Sequence, residues 1–320
     1  MKNQMHNAPM LIAALALAAC GGQKTPTNAP AAGSPPAAAS AGAGGDAAGG
    51  NDGALQLKCP PKVTTGAPEG TAYDVIGVTP QMSYDDAAAI ILCANENMTA
   101  KEELINAWSI DTAGLKPRHG FVIEAPETPE ETEARLARYR KGNFSDDENF
   151  RGHVAPGKMR FSATTVGAPG SERVISITSE QGFAAGAEPP FASIREALIA
   201  KYGQPISERH DSTSYRGERW LVWGRDFAGR PIASDSPSAN ACDIALGLTL
   251  DPQCGAAVAA TILPIEGNNE LVSAMRVVSV MPAWSFEYFD TATAELAAAS
   301  AAARAQQVEQ AKENAQAPKL

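Results

Sequence analysis

The chain has 320 residues, of which 36 are acidic and 26 basic, for a formal net charge of −10. That balance provides no basic footprint for nucleic acid, and it opposes electrostatic docking on anionic lipid heads. Past residue 19 the balance is more acidic by one charge, because Lys2 is the only charged residue before it.

Lys2 precedes an apolar run from Ala8 to Ala19, shorter than the ~20 apolar residues a spanning helix needs. A basic start, a short apolar region and small residues at its end are the parts of a secretory signal peptide. The run closes in Leu17-Ala18-Ala19-Cys20, which resembles the lipobox of bacterial lipoproteins. The resemblance implies diacylglyceryl transfer to Cys20, cleavage before it (removing residues 1–19) and acylation of the new amino group. Two buried acyl chains already anchor stably, at ~0.8 kcal/mol per methylene. Gly21, not Asp, follows the cysteine; by similarity to the enterobacterial sorting rule, that implies delivery to the outer membrane, facing the periplasm.

Residues 20–53 are almost wholly Gly, Ala, Pro and Ser. Such a stretch lacks the apolar content for a core and predicts a disordered tether between anchor and folded part. Four cysteines remain in this exported chain, Cys59, Cys93, Cys242 and Cys254, and they read as a disulfide framework. Three pairings are open. The pairs nearest in sequence, Cys59–Cys93 and Cys242–Cys254, are favoured, each contributing ~3–4 kcal/mol in the chain-entropy account. No CxxC or His-x-His spacing supports zinc, and neither a metal nor a cofactor is expected.

The globular region is expected over 54–290, with subdomains at 54–180 and 181–290 if it is divided. Thr71–Val78 reads as a strand. Ser83 caps a helix to Cys93 with Asp86 three positions on, and Lys101–Trp108 reads as a second short helix. Gly120–Glu124 reads as a strand. Thr128, Pro129, Glu131 and Gly142 bound a surface helix, with Glu131 four residues ahead of Arg135. Lys158–Thr165 and Arg173–Ser179 alternate like half-buried strands. Ser193 and Glu196 form a capping box for a helix that stops at Gly203. Trp220–Trp223, Cys242–Leu250, Ala257–Leu263 and Leu271–Val280 read as further strands. Residues 291–320 are an Ala-rich terminal helix and tail. The pattern is α+β, short helices packed on antiparallel sheet.

Ser83-Tyr-Asp-Asp86-Ala87 and Ser193-Ile-Arg-Glu196-Ala197 share S-x-x-[D/E]-A. They mark either two copies of a helix-then-sheet unit or two helix starts selected alike by capping chemistry. Ala197-Leu198 through Tyr202-Gly203-Gln204-Pro205, followed by Trp220 and Trp223, resembles the BamE (SmpA/OmlA) type of small outer-membrane lipoprotein. Val78–Ser83 is similar to that family's opening Gly-Met-Thr motif, with Gln81 in place of the glycine. The resemblance covers a few dozen residues per match and implies a sheet-based, protein-binding role.

Catalytic signatures are sparse. His210-Asp211 with Ser212 and Ser214 lacks a nucleophile elbow, and Asp146-Asp147-Glu148 lacks calcium-loop spacing. His119, His153 and His210 have no metal-ligand spacing. Gly42–Gly50 precedes no strand–helix unit and is no phosphate loop. One basic-aromatic cluster stands out: Tyr215, Arg216, Arg219, Trp220, Trp223, Arg225 and Arg230, with Phe227 among them. Arginine and aromatic side chains together suit a binding face, while Trp220–Trp223 is apolar enough to be a buried strand. The sequence therefore points to a lipid-anchored envelope protein, held in the membrane through Cys20, with a non-catalytic binding or assembly role and an envelope protein as partner. An envelope hydrolase and a periplasmic ligand-binding lipoprotein are the alternatives.

Overall fold

The computed structural model describes residues 54–55, 73–95, 97–102, 110–140, 154–210, 217–244 and 250–315, all within one unit spanning 51–320. The signal segment, Cys20, the tether and Cys59 lie outside the described residues. In chain order the elements are β1 (Ala54–Leu55), α1 (Tyr84–Ala94), β2 (Thr99–Glu102), β3 (Gly120–Glu124), α2 (Pro129–Arg140), β4 (Met159–Val166) and β5 (Arg173–Gly182). They continue with α3 (Phe191–Tyr202), β6 (Ser207–His210), β7 (Arg219–Arg225), a 3-10 helix at Pro237–Cys242, β8 (Ala256–Ile265), β9 (Asn268–Val280) and α4 (Pro282–Asn314). The fold is α+β, with every strand pairing antiparallel in one sheet of order β1-β2-β3-β4-β5-β9-β8-β7-β6.

That order contains one design twice. The runs α1-β2-β3-β4-β5 and α3-β6-β7-β8-β9 are each a helix followed by a four-strand meander. Their last strands pair with each other at the centre, from Ser176 opposite Val280 to Gly182 opposite Ala274. An approximate two-fold axis perpendicular to the sheet, between β5 and β9, thus relates the halves. Equivalent contacts recur in matching register. Ser83, just before α1, bridges Arg173 of β5, and Pro190, just before α3, bridges Leu271 of β9. The Val174 N–H donates to the Met82 carbonyl at 2.8 Å, and the Val272 N–H to the Pro189 carbonyl at 3.0 Å.

Side chains alternate across the pleat, so each strand feeds two cores. Helices α1 and α3 share one face, where Tyr84, Ile91, Phe121, Ile177, Leu198, Trp223 and Ile262 form one continuous cluster. Ala87, Ala88 and Ile91 supply the helical spacing that turns α1 onto this face. On the opposite face the halves differ. Val166 and Ile175 of the first half lie under Ala292, Trp284 and Tyr288 of α4. Val222, Ala257, Ala259 and Val278 of the second half lie under Cys242, Ile244 and Cys254. Cys242 and Cys254 form a disulfide, and Gly224 lies beneath it. A Cβ on Gly224 would stand 2.8 Å from Cys242 Cβ, so the strand has room there only for glycine. Cys93 is also disulfide-bonded.

Several expected elements need correction. Thr71–Val78 is not a strand over its described part. Val75 and Val78 close a tight turn with Ile76 and Gly77 at positive φ, and the Gly77 N–H donates to Asp74 Oδ2. Lys101 and Glu102 end β2; the rest of the expected short helix lies outside the described residues. Helix α3 begins at Phe191 with Pro190 as its N-cap, so Ser193 sits inside the first turn and caps nothing. Cys242 ends a 3-10 helix that Ser236 caps. Ile244 is buried but not in a strand, and 245–249 lie outside the described residues. The terminal helix starts at Pro282, nine residues before the expected start at residue 291. The Ser83 cap on the Asp86 N–H and the capping box of Thr128 with Glu131 form as the residues predict.

Candidate functional site

Strand β7 carries Arg219, Trp220, Trp223 and Arg225 of the basic-aromatic cluster, and Arg230 lies in the turn after it. Tyr215 and Arg216 lie outside the described residues. The pleat divides the rest. Leu221 and Trp223 point to the helix side, and by alternation Arg219 and Arg225 do too, while Val222 joins the opposite core and Trp220 shares its side. Trp223 is buried, stacks at a tilt on Tyr202 and donates its indole N–H to the Gly203 carbonyl at 2.8 Å. The Arg225 guanidinium donates to the carbonyls of Gly229 (3.0 Å) and Tyr202 (3.4 Å). Arg230 pairs with Asp226, whose carboxyl is held below the usual range by the Arg230 N–H and guanidinium. Those three side chains are spent on the fold.

Arg219 is different. Its guanidinium lies 3.9 Å from the centroid of the Phe191 ring, the first residue of α3. The side chain is only 18% exposed, and its Nε is buried without a hydrogen-bond partner. Among the described residues its ion-pair partner is Glu270, 4.0 Å from Nη2 with a side chain 83% exposed. This is an ion-pair distance too long for a hydrogen bond.

The first half also stacks an arginine on the first residue of its helix, but from a different strand position. The register Phe121–Ala163–Ile177 matches Arg219–Ile262–Met275, so Arg219 stands where the first half has Phe121, which packs edge-on against Tyr84 at 5.1 Å. Arg118 lies two residues ahead of β3, where the second half has Arg216, outside the described residues, and its guanidinium is 3.9 Å from the Tyr84 ring, the first residue of α1. Glu172 occupies the place before β5 that corresponds to Glu270 early in β9. Unlike Glu270, its side chain is 1% exposed and accepts from Arg118 Nη2 at 2.8 Å, the Arg118 N–H at 3.0 Å and the Gly170 N–H at 3.0 Å. Burial alone would raise the Glu172 pKa. The hydrogen bonds from Arg118 outweigh it and hold the carboxyl below its ordinary range. Asp85 completes the Arg118 fork at 2.6 Å. A ring-stacked arginine is thus present in both halves at different strand positions, hydrogen-bonded to a buried carboxylate in the first and at ion-pair distance from an exposed one in the second. Capping residues and composition carry no trace of it, because the pairing of distant positions creates it.

Beside the other end of β7, an open cleft of about 610 Å³ is lined by Tyr202, Gly203, Pro205, Arg225 and Ile232. A smaller one of about 190 Å³ lies by α2, among Glu124, Glu131, Lys158 and Arg160. There Glu131 pairs with Lys158 at 2.7 Å. On the sheet face opposite α1 and α3, Glu180 is buried between Arg160 and Arg276 at the seam of the halves. His119 and His210 stand far apart in the sheet, at β3 and the β6 edge. His153, Asp211, Ser212, Ser214 and Asp146–Glu148 lie outside the described residues. Among the described residues no group of three or more His, Cys, Asp or Glu could hold a metal, and no helix is long and apolar enough to cross a membrane.

No family model matches the chain, and neither a curated protein nor a solved structure matches it.

Proposed function

We propose that this protein is a lipid-anchored component of the bacterial cell envelope, held by acyl chains on Cys20 at the periplasmic face of the outer membrane. Its folded part then serves as a non-catalytic binding or assembly module for an envelope protein. The lipobox-like Leu17–Cys20 supports the anchor. The observation that carries the binding reading is Arg219, mostly buried, stacked on Phe191 and with its buried Nε unpaired among the described residues. A buried polar group left unpaired costs stability unless something binds it. The cleft beside Arg225 favours a second reading, a periplasmic ligand-binding lipoprotein.

Two experiments test this. Cys20→Ser should move the protein from the membrane to the soluble envelope fraction; continued membrane association contradicts the anchor. Cross-linking in intact cells, followed by detergent solubilisation and mass spectrometry, should yield a stoichiometric envelope partner that Arg219→Gln depletes. A partner captured equally well by the variant would move the binding face away from β7.

A further inference from the structure

We infer that the cleft between the turn after β7 and the start of α4 is a binding site for an organic cation, an ammonium or guanidinium carried on an apolar stem. The cleft encloses about 250 Å³, and Tyr73, Phe227, Met281, Trp284 and Glu287 are among the residues that line it. Phe227 is 74% exposed, the largest exposure of any large apolar side chain among the described residues. The turn that carries it is fixed. Asp226 Oδ1 accepts from the Ala228 and Arg230 N–H groups at 2.9 Å each, and the Gly229 N–H donates to the Asp226 carbonyl at 2.9 Å. Gly255 lies against that turn, where a Cβ would strike the Asp226 carbonyl. On the α4 side the Trp284 ring stacks on Tyr288, 4.7 Å between centroids and 14° from parallel. The exposed ring therefore belongs to a rigid frame.

The charges select the sign of the ligand. A helix start ordinarily favours an anion, but the first turn of α4 lacks the free donors. Pro282 has no N–H, the Ala283 N–H donates to the Cys254 carbonyl at 3.0 Å, and the Ser285 N–H donates to the Met281 carbonyl at 2.9 Å. The neighbouring cations are engaged as well. Arg225 donates to the carbonyls of Gly229 and Tyr202, and Arg230 pairs with Asp226 and neutralises it. That leaves Glu287, exposed and without an ion pair among the described residues. Aromatic rings attract a cation through their quadrupole and cover its apolar stem, while a carboxylate beside them takes the charged head. The net charge of −10 draws cations toward the chain. The source is either a free small amine or a lysine or arginine side chain of a bound partner.

Where the source is a partner, the inference rests on the binding role proposed above; titration with small probes tests the site without one. The full-length lipidated protein, in a neutral maltoside detergent, is titrated at constant ionic strength with n-butylammonium and with the blocked peptide acetyl-Ala-Lys-Ala-amide. The controls are n-butanol and acetyl-Ala-Glu-Ala-amide. The reporter is the indole N–H resonance of Trp284, identified by its loss in Trp284→Phe. A saturable shift with either cationic probe, at lower concentration than with its control, supports the site. Saturation by n-butylammonium alone assigns it to a small amine, and tighter binding of the lysine peptide assigns it to a partner side chain. Glu287→Gln should weaken cation binding roughly 5-fold, the size of one solvent-exposed ion pair. Phe227→Leu keeps apolar surface, removes the ring and should weaken it roughly 2-fold or more. Both positions are exposed, so neither substitution threatens the fold. Glu309→Gln, far along α4, should change nothing. No saturable shift with either cation, a control binding as tightly as its cationic counterpart, or unchanged binding in both Glu287→Gln and Phe227→Leu would overturn the inference. A partner captured in cells, with no response to either cation, would retain the binding role and remove this site.

Discussion

The two halves of the sheet share a helix, a four-strand meander and an arginine stacked on the first residue of that helix. They differ in where along the strands that arginine sits, in the acid beside it and in what covers the opposite face. The first half buries Glu172 against Arg118 and is roofed by α4. The second leaves Glu270 in solvent and is roofed by the segment that the Cys242–Cys254 disulfide closes. The buried Arg118–Glu172 pair ties the first half together, whereas the second half has, in the place of Phe121, a ring-stacked arginine with only an exposed acid beside it.

A large effect should come from the buried Arg118–Glu172 pair. Glu172→Gln leaves Arg118 with only the exposed Asp85, so the loss should fall near ~3 kcal/mol, the lower end for breaking a buried pair. Glu270→Gln should change stability by less than ~0.5 kcal/mol, as surface changes do. Urea unfolding of both variants checks the contrast. The pH dependence follows with the same sign. The folded Glu172 carboxyl titrates below its ordinary value, so its contribution is complete above the unfolded pKa of ~4.3 and is lost as pH falls through the lower folded value. Unfolding midpoints measured from pH 7 to pH 2 should decline in that acid window, and less steeply in Glu172→Gln.

The roofs come next. Leu296 of α4 is fully buried, and Leu296→Ala should cost ~2–4 kcal/mol. Replacing Cys242 and Cys254 together by alanine should cost ~2–3 kcal/mol, appropriate to their separation of 12 residues. Amide exchange should localise the first loss to β4 and β5 and the second to β7 and β8; a uniform loss in either case would show that the halves do not respond separately. The smallest effect belongs to Tyr84. Its hydroxyl is buried without a hydrogen-bond partner, and the corresponding residue is Phe191. Tyr84→Phe should therefore be neutral or slightly stabilising, as thermal unfolding would show.

Local chemistry made much of this fold legible. Ser83 with Asp86 and Thr128 with Glu131 announce α1 and α2, because a side-chain oxygen must meet an orphan N–H at a helix start. Alternation in Arg173–Ser179 and Leu271–Val280 announces strands. The shared S-x-x-[D/E]-A pointed toward a repeat, yet the residues that align in space are Ser83 with Pro190 and Tyr84 with Phe191. Pro189-Pro190 was the truer helix-start signal in the second half. Apolar content misled at Val75–Val78, where Asp74 stabilises a turn at Ile76 and Gly77, and at Cys242, where Ser236-Pro237 starts a 3-10 turn. Aromatics with modest helix propensity, Trp284 to Phe289, concealed the first turns of α4. The basic-aromatic cluster was visible as composition. Its division by the pleat, and the placement of Arg219 between Phe191 and Glu270, depend on β7 lying between β6 and β8 and on a hairpin that brings Glu270 near, and neither neighbour is written in the local sequence.

The most direct measurement is the unfolding free energy of Arg118→Gln beside that of Arg219→Gln, by urea titration of the full chain without added ligand. Arg118→Gln should cost ~3–5 kcal/mol, because it strands the buried Glu172 carboxylate, whereas Arg219→Gln should cost under ~1 kcal/mol, because it breaks no hydrogen bond. Equal losses in the two variants would contradict the account, since they would mean that Arg219 is as fully paired within the chain as Arg118.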